Sequence, residues 1–278
     1  MNKDVAMSTQ SAPKPQETSA SPFHWPSALK MSGFVTLAVL VSLGSEWVTD
    51  VAFLALMIAW SVLTMYLLVR CLGGRDAAVY GSVVVVTALI FEIIGLYVLD
   101  WLAYRMHPQI AGVPFAILLG WFVGVSASFA FAAALFPQAG VLPRALVTGL
   151  LAVLFDLTAD PICLAQGRWV WHESGLYASD VTGANGQTGI PWFNFLGWMS
   201  AAMLATIAFE LITGRQRPEG RFHLSWSAIF YFAMCLTGLT WALRVQLWDL
   251  FFIPAVPLVL LAAWVVRCRI RRRLIAIS

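Results

Sequence analysis

The sequence predicts an all-α, polytopic transmembrane helical bundle of about eight spans, with a parallel internal repeat of helix pairs. Three observations carry this. Sixty per cent of the 278 residues are hydrophobic and only 11% are charged, against about 25% charged in soluble domains. Eight apolar runs are each close to the length a spanning helix needs, about 20 residues. The basic residues between those runs fall almost entirely on alternate loops.

The first 28 residues hold Pro13, Pro15, Pro22 and Pro26 among Ser, Thr, Gln and Lys, with no apolar core. They read as a disordered cytoplasmic tail and not as a signal peptide. The transmembrane domain follows over 29–267, with runs at roughly 29–46, 50–70, 77–99, 112–135, 145–165, 192–213, 224–244 and 248–267. The chain ends in a short basic tail, 268–278. With the N-terminus cytoplasmic, fourteen of the 17 Lys and Arg lie on that side; only Arg105, Arg168 and Arg244 lie opposite. This bias puts both termini in the cytoplasm, as expected for a bacterial inner-membrane protein. The terminal R-C-R-I-R-R-R run reads as a topology signal and argues for no nucleic-acid partner.

Two ungapped stretches match, G-V-P-F-A-I-L-L-G-W at 112–121 and G-I-P-W-F-N-F-L-G-W at 189–198, with five of ten positions identical. An aromatic-acid pair precedes each: Phe91-Glu92 in the third run and Phe155-Asp156 in the fifth. The repeat units, about 85–135 and 150–213, run in the same direction, which implies relation about an axis along the membrane normal. Proline is expected at the first helical position of each returning helix, where its missing N–H costs nothing.

Charges inside a bilayer need a reason. Glu92, Asp156 and Asp160 lie well inside spans. Asp156 and Asp160, four residues apart, stack on one helix face. Two carboxyls so close in a low dielectric do not both ionise cheaply, so one is expected to hold a proton and serve as a general acid. Pro161 is expected to disturb the helix and free backbone carbonyls toward a cavity. The alternative is a polar packing node in which the acids hydrogen-bond Asn194, Arg168 or an indole N–H. Glu210, at the cytoplasmic end of its span, is expected to snorkel.

Nine of the 13 tryptophans fall in the outer half or its loops. That exceeds an ordinary interfacial belt, present at both faces, and suits a cavity walled by indoles for a long apolar ligand or a developing cation. His172 and Glu173, adjacent in the long loop 166–191, read as a solvated rim. Missing residues exclude several chemistries. The four histidines (His24, His107, His172, His223) all lie outside the runs, so histidine boxes and haem pairs are excluded. Lysine occurs only at 3, 14 and 30, which removes a retinal Schiff base. Cys71, Cys163, Cys235 and Cys268 show no metal or disulfide spacing. D-L-T-A-D is not a Mg-diphosphate cluster, and G-V-S-A-S at 124–128 has no histidine partner for a serine nucleophile. Neither a metal nor a cofactor is expected. What remains is acid–base work on an apolar substrate, or transport.

D-L-T-A-D-P-I-C-L-A-Q-G-R-W-V-W followed by G-I-P-W-F-N-F-L-G-W resembles the membrane-integral carotenoid biosynthesis protein family. Its characterised members are of the carotenoid 1,2-hydratase and bisanhydrobacterioruberin hydratase type. F-E-I-I-G and the 112–121 stretch resemble an earlier block of the same family, and the likeness covers roughly 85–245. The sequence departs from it in an insertion rich in Gly, Ser, Thr and Asn after Tyr177, and in L-D-W-L-A-Y after Glu92.

The resemblance implies hydration of a terminal C=C of an acyclic carotenoid end group, a cofactor-independent hydro-lyase reaction. Asp156 or Asp160 would donate the proton and the other would orient water, with Glu92 a second polar wall. Trp121, Trp169, Trp171, Asn194 and Trp198 would bind the substrate. Partners would be the carotenoid, the lipid bilayer and other carotenoid-pathway enzymes. The competing classes are a non-enzymatic carotenoid or lipid carrier, a proton-coupled transporter, and a structural subunit of a carotenoid-making complex.

Overall fold

The computed structural model describes residues 50–214 and 222–275. The expected first span at 29–46 and the N-terminal tail lie outside the described residues. Within them are seven helices long and apolar enough to cross a membrane: α1 (Asp50–Leu72), α2 (Gly74–Ile93), α3 (Phe115–Leu135), α4 (Val141–Ala165), α5 (Trp192–Thr213), α6 (Leu224–Arg244) and α7 (Trp248–Ile275). Helices satisfy every backbone polar group within the segment, which hydrocarbon demands. A π-helical turn, Ile94–Val98, closes α2. α7 runs on through Pro254 and Pro257 to Ile275, past the 267 boundary expected from hydropathy.

α3 is the centre of the bundle. Its sequence, F-A-I-L-L-G-W-F-V-G-V-S-A-S-F-A-F-A-A-A-L, alternates small residues with aromatic ones, and 78% of its apolar window is buried. Small residues let neighbouring helices approach closely, the main source of packing where lipid removes the hydrophobic drive. α1, α2, α4 and α6 all pack on α3, and α4 packs most extensively on α5. G-V-S-A-S is plain helix interior here, with the Ser128 hydroxyl donating to the Gly124 carbonyl at 2.8 Å.

At one end the connections form three two-stranded antiparallel sheets. β1 (Leu102–Tyr104) pairs with β4 (Trp169–Trp171), β2 (Gln109–Ile110) with β3 (Val113–Pro114), and β5 (Tyr177–Thr182) with β6 (Thr188–Ile190). The polar insertion after Tyr177 is therefore a hairpin, its turn closed by the Gly183 N–H on the Gln187 carbonyl at 2.8 Å.

The two matching stretches adopt the same local backbone. Gly112 and Gly189 have φ of 79° and 73°, a left-handed conformation that favours glycine. Pro114 and Pro191 follow at φ, ψ of −62°, 136° and −65°, 144°. Each proline is the residue before the helix, one position earlier than expected. β1 and β4, one from each proposed unit, pair about Ala103 and Val170.

At the opposite end the structure corrects the reading of Glu210. It does not snorkel: it is buried, and its Oε1 accepts from Arg144 Nη1 at 2.5 Å. Arg144 is itself fully buried and also donates to the Ala139 carbonyl. The partner lies 66 residues away in sequence, so no local pattern announces it.

Candidate functional site

Pro161 does not break α4, which continues to Ala165. A proline leaves the carbonyl four residues earlier without its helical donor. That carbonyl, Leu157, accepts the Tyr177 hydroxyl at 2.6 Å. The freed group is thus tied to the β5 hairpin and does not face a cavity as expected. Burial, then the charges of Asp156 and Asp160, push the Tyr177 phenol above its ordinary value.

Asp156 and Asp160 project from one face of α4, each 3% exposed. Asn194, in the first turn of α5, donates from Nδ2 to Asp156 Oδ2 at 2.7 Å and to Asp160 Oδ2 at 2.8 Å. One amide nitrogen therefore holds both carboxyls side by side. Two helices enforce this: the i, i+4 spacing on α4 and the start of α5 fixed by Gly189 and Pro191. Trp169, the first residue of β4, lies with its indole N–H toward Asp160 and closes no hydrogen bond of good geometry.

The two acids open onto a cavity of about 180 Å³. Its aromatic wall is Trp121, Trp198, Phe155, Trp169 and Trp241; its apolar wall comes from Phe53, Met57 and Trp60 of α1 and Met234 of α6. Trp121 and Trp198, the last residues of the two matching stretches, stack on each other with centroids 3.6 Å apart and planes 11° apart. Phe155 meets Trp198 edge-on at 5.9 Å. Gly238 brings α6 against α4 so closely that any Cβ would run into the Thr158 carbonyl.

Arg168, 3% exposed, also lines the cavity. It donates from Nε to Gln166 at 2.8 Å, pairs with Asp50 at 3.3 Å and lies 3.9 Å over the Phe53 ring. It thereby ties the start of α1 to the loop above the acids. Burial lowers its guanidinium below the ordinary value, opposed by the charge of Asp50; it stays protonated near neutrality.

The remaining expected residues are placed differently. Glu92 is buried behind the wall, outside the cavity lining. Its Oε1 accepts the Trp121 indole N–H at 2.6 Å and its Oε2 accepts the Tyr104 hydroxyl at 2.7 Å. Burial, then the neighbouring Glu92 charge, push the Tyr104 phenol up. Trp171 turns into the outer core against Phe193, with ring centroids 5.9 Å apart, and does not line the cavity. His172 and Glu173 are exposed, and His172 Nδ1 sits 2.7 Å from the Asp100 carbonyl oxygen.

Sequence reasoning missed Tyr104, Tyr177 and the walls from α1 and α6. Tyr177 had a signal, since a helical proline must leave one carbonyl seeking a donor. The α1 and α6 residues are apolar among apolar neighbours and carried none.

A buried pair of acids beside stacked indoles is the geometry to set against known proteins. The model of a family described as carotenoid biosynthesis protein matches residues 50–265. The chain belongs to the carotenoid biosynthesis protein family. No curated protein and no solved structure matches it. Membership gives the molecule a role in carotenoid biosynthesis and a carotenoid-related substrate. The family match spans α1 to α6, most of α7 and the whole candidate site, from Asp50 to Trp241.

Proposed function

We propose that the protein hydrates a terminal C=C of an acyclic carotenoid end group. The observation that carries this is the Asn194-clamped pair Asp156 and Asp160, opening on an aromatic-walled cavity. In this reading the pair shares one proton, because two carboxyls in a low dielectric resist double ionisation. Asp156 gives that proton to the less substituted alkene carbon, forming a C–H bond and leaving a tertiary cation on its neighbour. Indole faces stabilise the cation. Asp160 and the Trp169 N–H orient a water, whose oxygen bonds the cationic carbon and whose proton passes to the Asp160 carboxylate. The net change is addition of one water to give a tertiary alcohol, and proton exchange between the acids resets the site. Asp160 is assigned to water because Trp169 offers the second polar partner there.

The bundle is read with both termini in the cytoplasm, so the hairpin end and the site lie toward the opposite face. The test is expression in a host making acyclic carotenoids, with pigments separated and weighed by mass spectrometry. A product heavier by one water supports the reading. General acid catalysis contributes about 10²–10⁴-fold, so Asp156→Asn is expected to leave only traces of it. Normal accumulation of both Asp156→Asn and Asp160→Asn with wild-type product yield would remove the acids from the mechanism.

A further inference from the structure

Glu92 is a buried acid that the hydration step does not use. It is 8% exposed and shut off from the cavity by Trp121. Both its oxygens are occupied, at 2.6 Å by the Trp121 indole N–H and at 2.7 Å by the Tyr104 hydroxyl. An indole N–H can only donate, so Oε1 is an acceptor and not a source of protons toward the cavity.

The ring it holds is unusual. Trp121 lies nearly flat on Trp198, 3.6 Å away and 11° from parallel, whereas aromatic pairs generally prefer offset or edge-on contacts with centroids about 4.5–7 Å apart. Two facing quadrupoles gain little from this arrangement, so it needs external fixing. Glu92 fixes one ring through its N–H; the Phe155 edge, 5.9 Å away, bears on the other. Donation of an N–H to a carboxylate also polarises the donor, leaving the indole π-face richer in electron density. Both stacked indoles line the cavity.

We propose that Glu92 is a positioning residue that acts through Trp121, holding and polarising the Trp121–Trp198 pair so that the cavity binds a cationic end group in preference to a neutral one of the same shape. The occupant is a long apolar chain whose terminal carbon carries transient positive charge. This rests on the hydration reading for the origin of the charge, but its test does not need turnover.

The probes are decyltrimethylammonium and its neutral carbon isostere, the corresponding 2,2-dimethylalkane, bound to the full chain in lipid nanodiscs and followed by tryptophan fluorescence. Wild-type protein is expected to prefer the ammonium. Glu92→Gln is expected to lower that preference roughly three- to tenfold with the alkane unaffected, the scale of a desolvated cation–π contact. The decisive measurement is a double-mutant cycle. If Glu92 acts through the indole, Glu92→Gln adds nothing in a Trp121→Phe background. Additive losses mean a direct through-space charge effect and overturn the proposal, as does a wild-type protein with no preference. If Glu92→Gln fails to accumulate, Tyr104→Phe carries the test. It leaves the Trp121–Glu92 bond in place and is expected to keep the preference, and losing it would overturn the role. A protein that hydrates its carotenoid but shows no ammonium preference loses this inference alone. One that prefers ammonium yet forms no hydrated product loses the hydration reading alone.

Discussion

Asn194→Leu tests the clamp without touching either acid. Leucine has a similar volume and suits a helix, so α5 and its packing on α4 are retained while both N–H donations, at 2.7 and 2.8 Å, disappear. In the proposed mechanism the resting pair has one carboxyl ionised and one protonated. One donated bond is therefore charge-assisted, worth about 1.5–3 kcal/mol, and the other is an ordinary bond of about 0.5–1.5 kcal/mol. Once Asp156 has given up its proton both are charge-assisted, so the amide gains roughly 1.4 kcal/mol in the transition state, about tenfold in rate. Hydrated carotenoid measured by chromatography and mass in time courses should fall about tenfold for Asn194→Leu, well short of the loss from Asp156→Asn. Turnover equal to wild type at equal protein level would show that the amide is packing and that the acids do not change charge together.

Three further outcomes follow from the packing of the bundle. Glu210→Gln leaves the fully buried Arg144 without its counter-ion and should cost about 3–5 kcal/mol, seen as a lowered thermal midpoint in detergent, whereas a snorkelling glutamate would tolerate the change. Gly238→Ala should reduce accumulation and activity together, because the new Cβ meets the Thr158 backbone carbonyl; Gly197→Ala, which meets nothing within 4 Å, is the control. The phenols of Tyr104 and Tyr177 are both raised above 10.0, so the folded state holds those protons more tightly than the unfolded chain. Stability should be intact below pH 10 and fall as pH rises beyond it, read as thermal midpoints up to about pH 11, with a shallower fall in Tyr177→Phe.

What the sequence disclosed was what local pattern can encode. Long apolar runs gave six of the spans to within about four residues at either end, because hydrophobic length is the property the bilayer selects. The acids stood out because charge is rare there, and their i, i+4 spacing made them neighbours. Asn194 was legible only as one of three partners named for the acids in the packing-node alternative, beside Arg168 and an indole N–H; the structure selects it. The strands at the hairpin end were not, since runs of two to six residues are too short for alternation to register. Arg144–Glu210 and Tyr104–Glu92 hid for another reason: each joins elements whose approach is decided by helix packing. Glu92 was read as a wall of the site when it stands behind one, because sequence gives the depth of a residue in a span but not which side of an indole it faces.

The two matching stretches then give a reason for the division of labour. Aligned from Gly112 and Gly189, the position of Asn194 in the second corresponds to Ile117 in the first, and Ile117 is buried on the cavity wall. The second unit meets its acids with an amide, which can serve two carboxyls at once. The first offers an aliphatic side chain at that place, and its acid is satisfied by Trp121 and Tyr104. If the units descend from one ancestor, as the shared left-handed glycine and pre-helical proline favour, they have separated into a half that holds the proton and a half that holds the aromatic wall. The Trp121–Trp198 stack is where the halves meet. On this reading Ile117→Asn would give Glu92 or the cavity a competing amide, and should weaken the wall without restoring chemistry to the first unit. An Ile117→Asn protein that rescued product formation in an Asn194→Leu background would show instead that the two halves remain interchangeable.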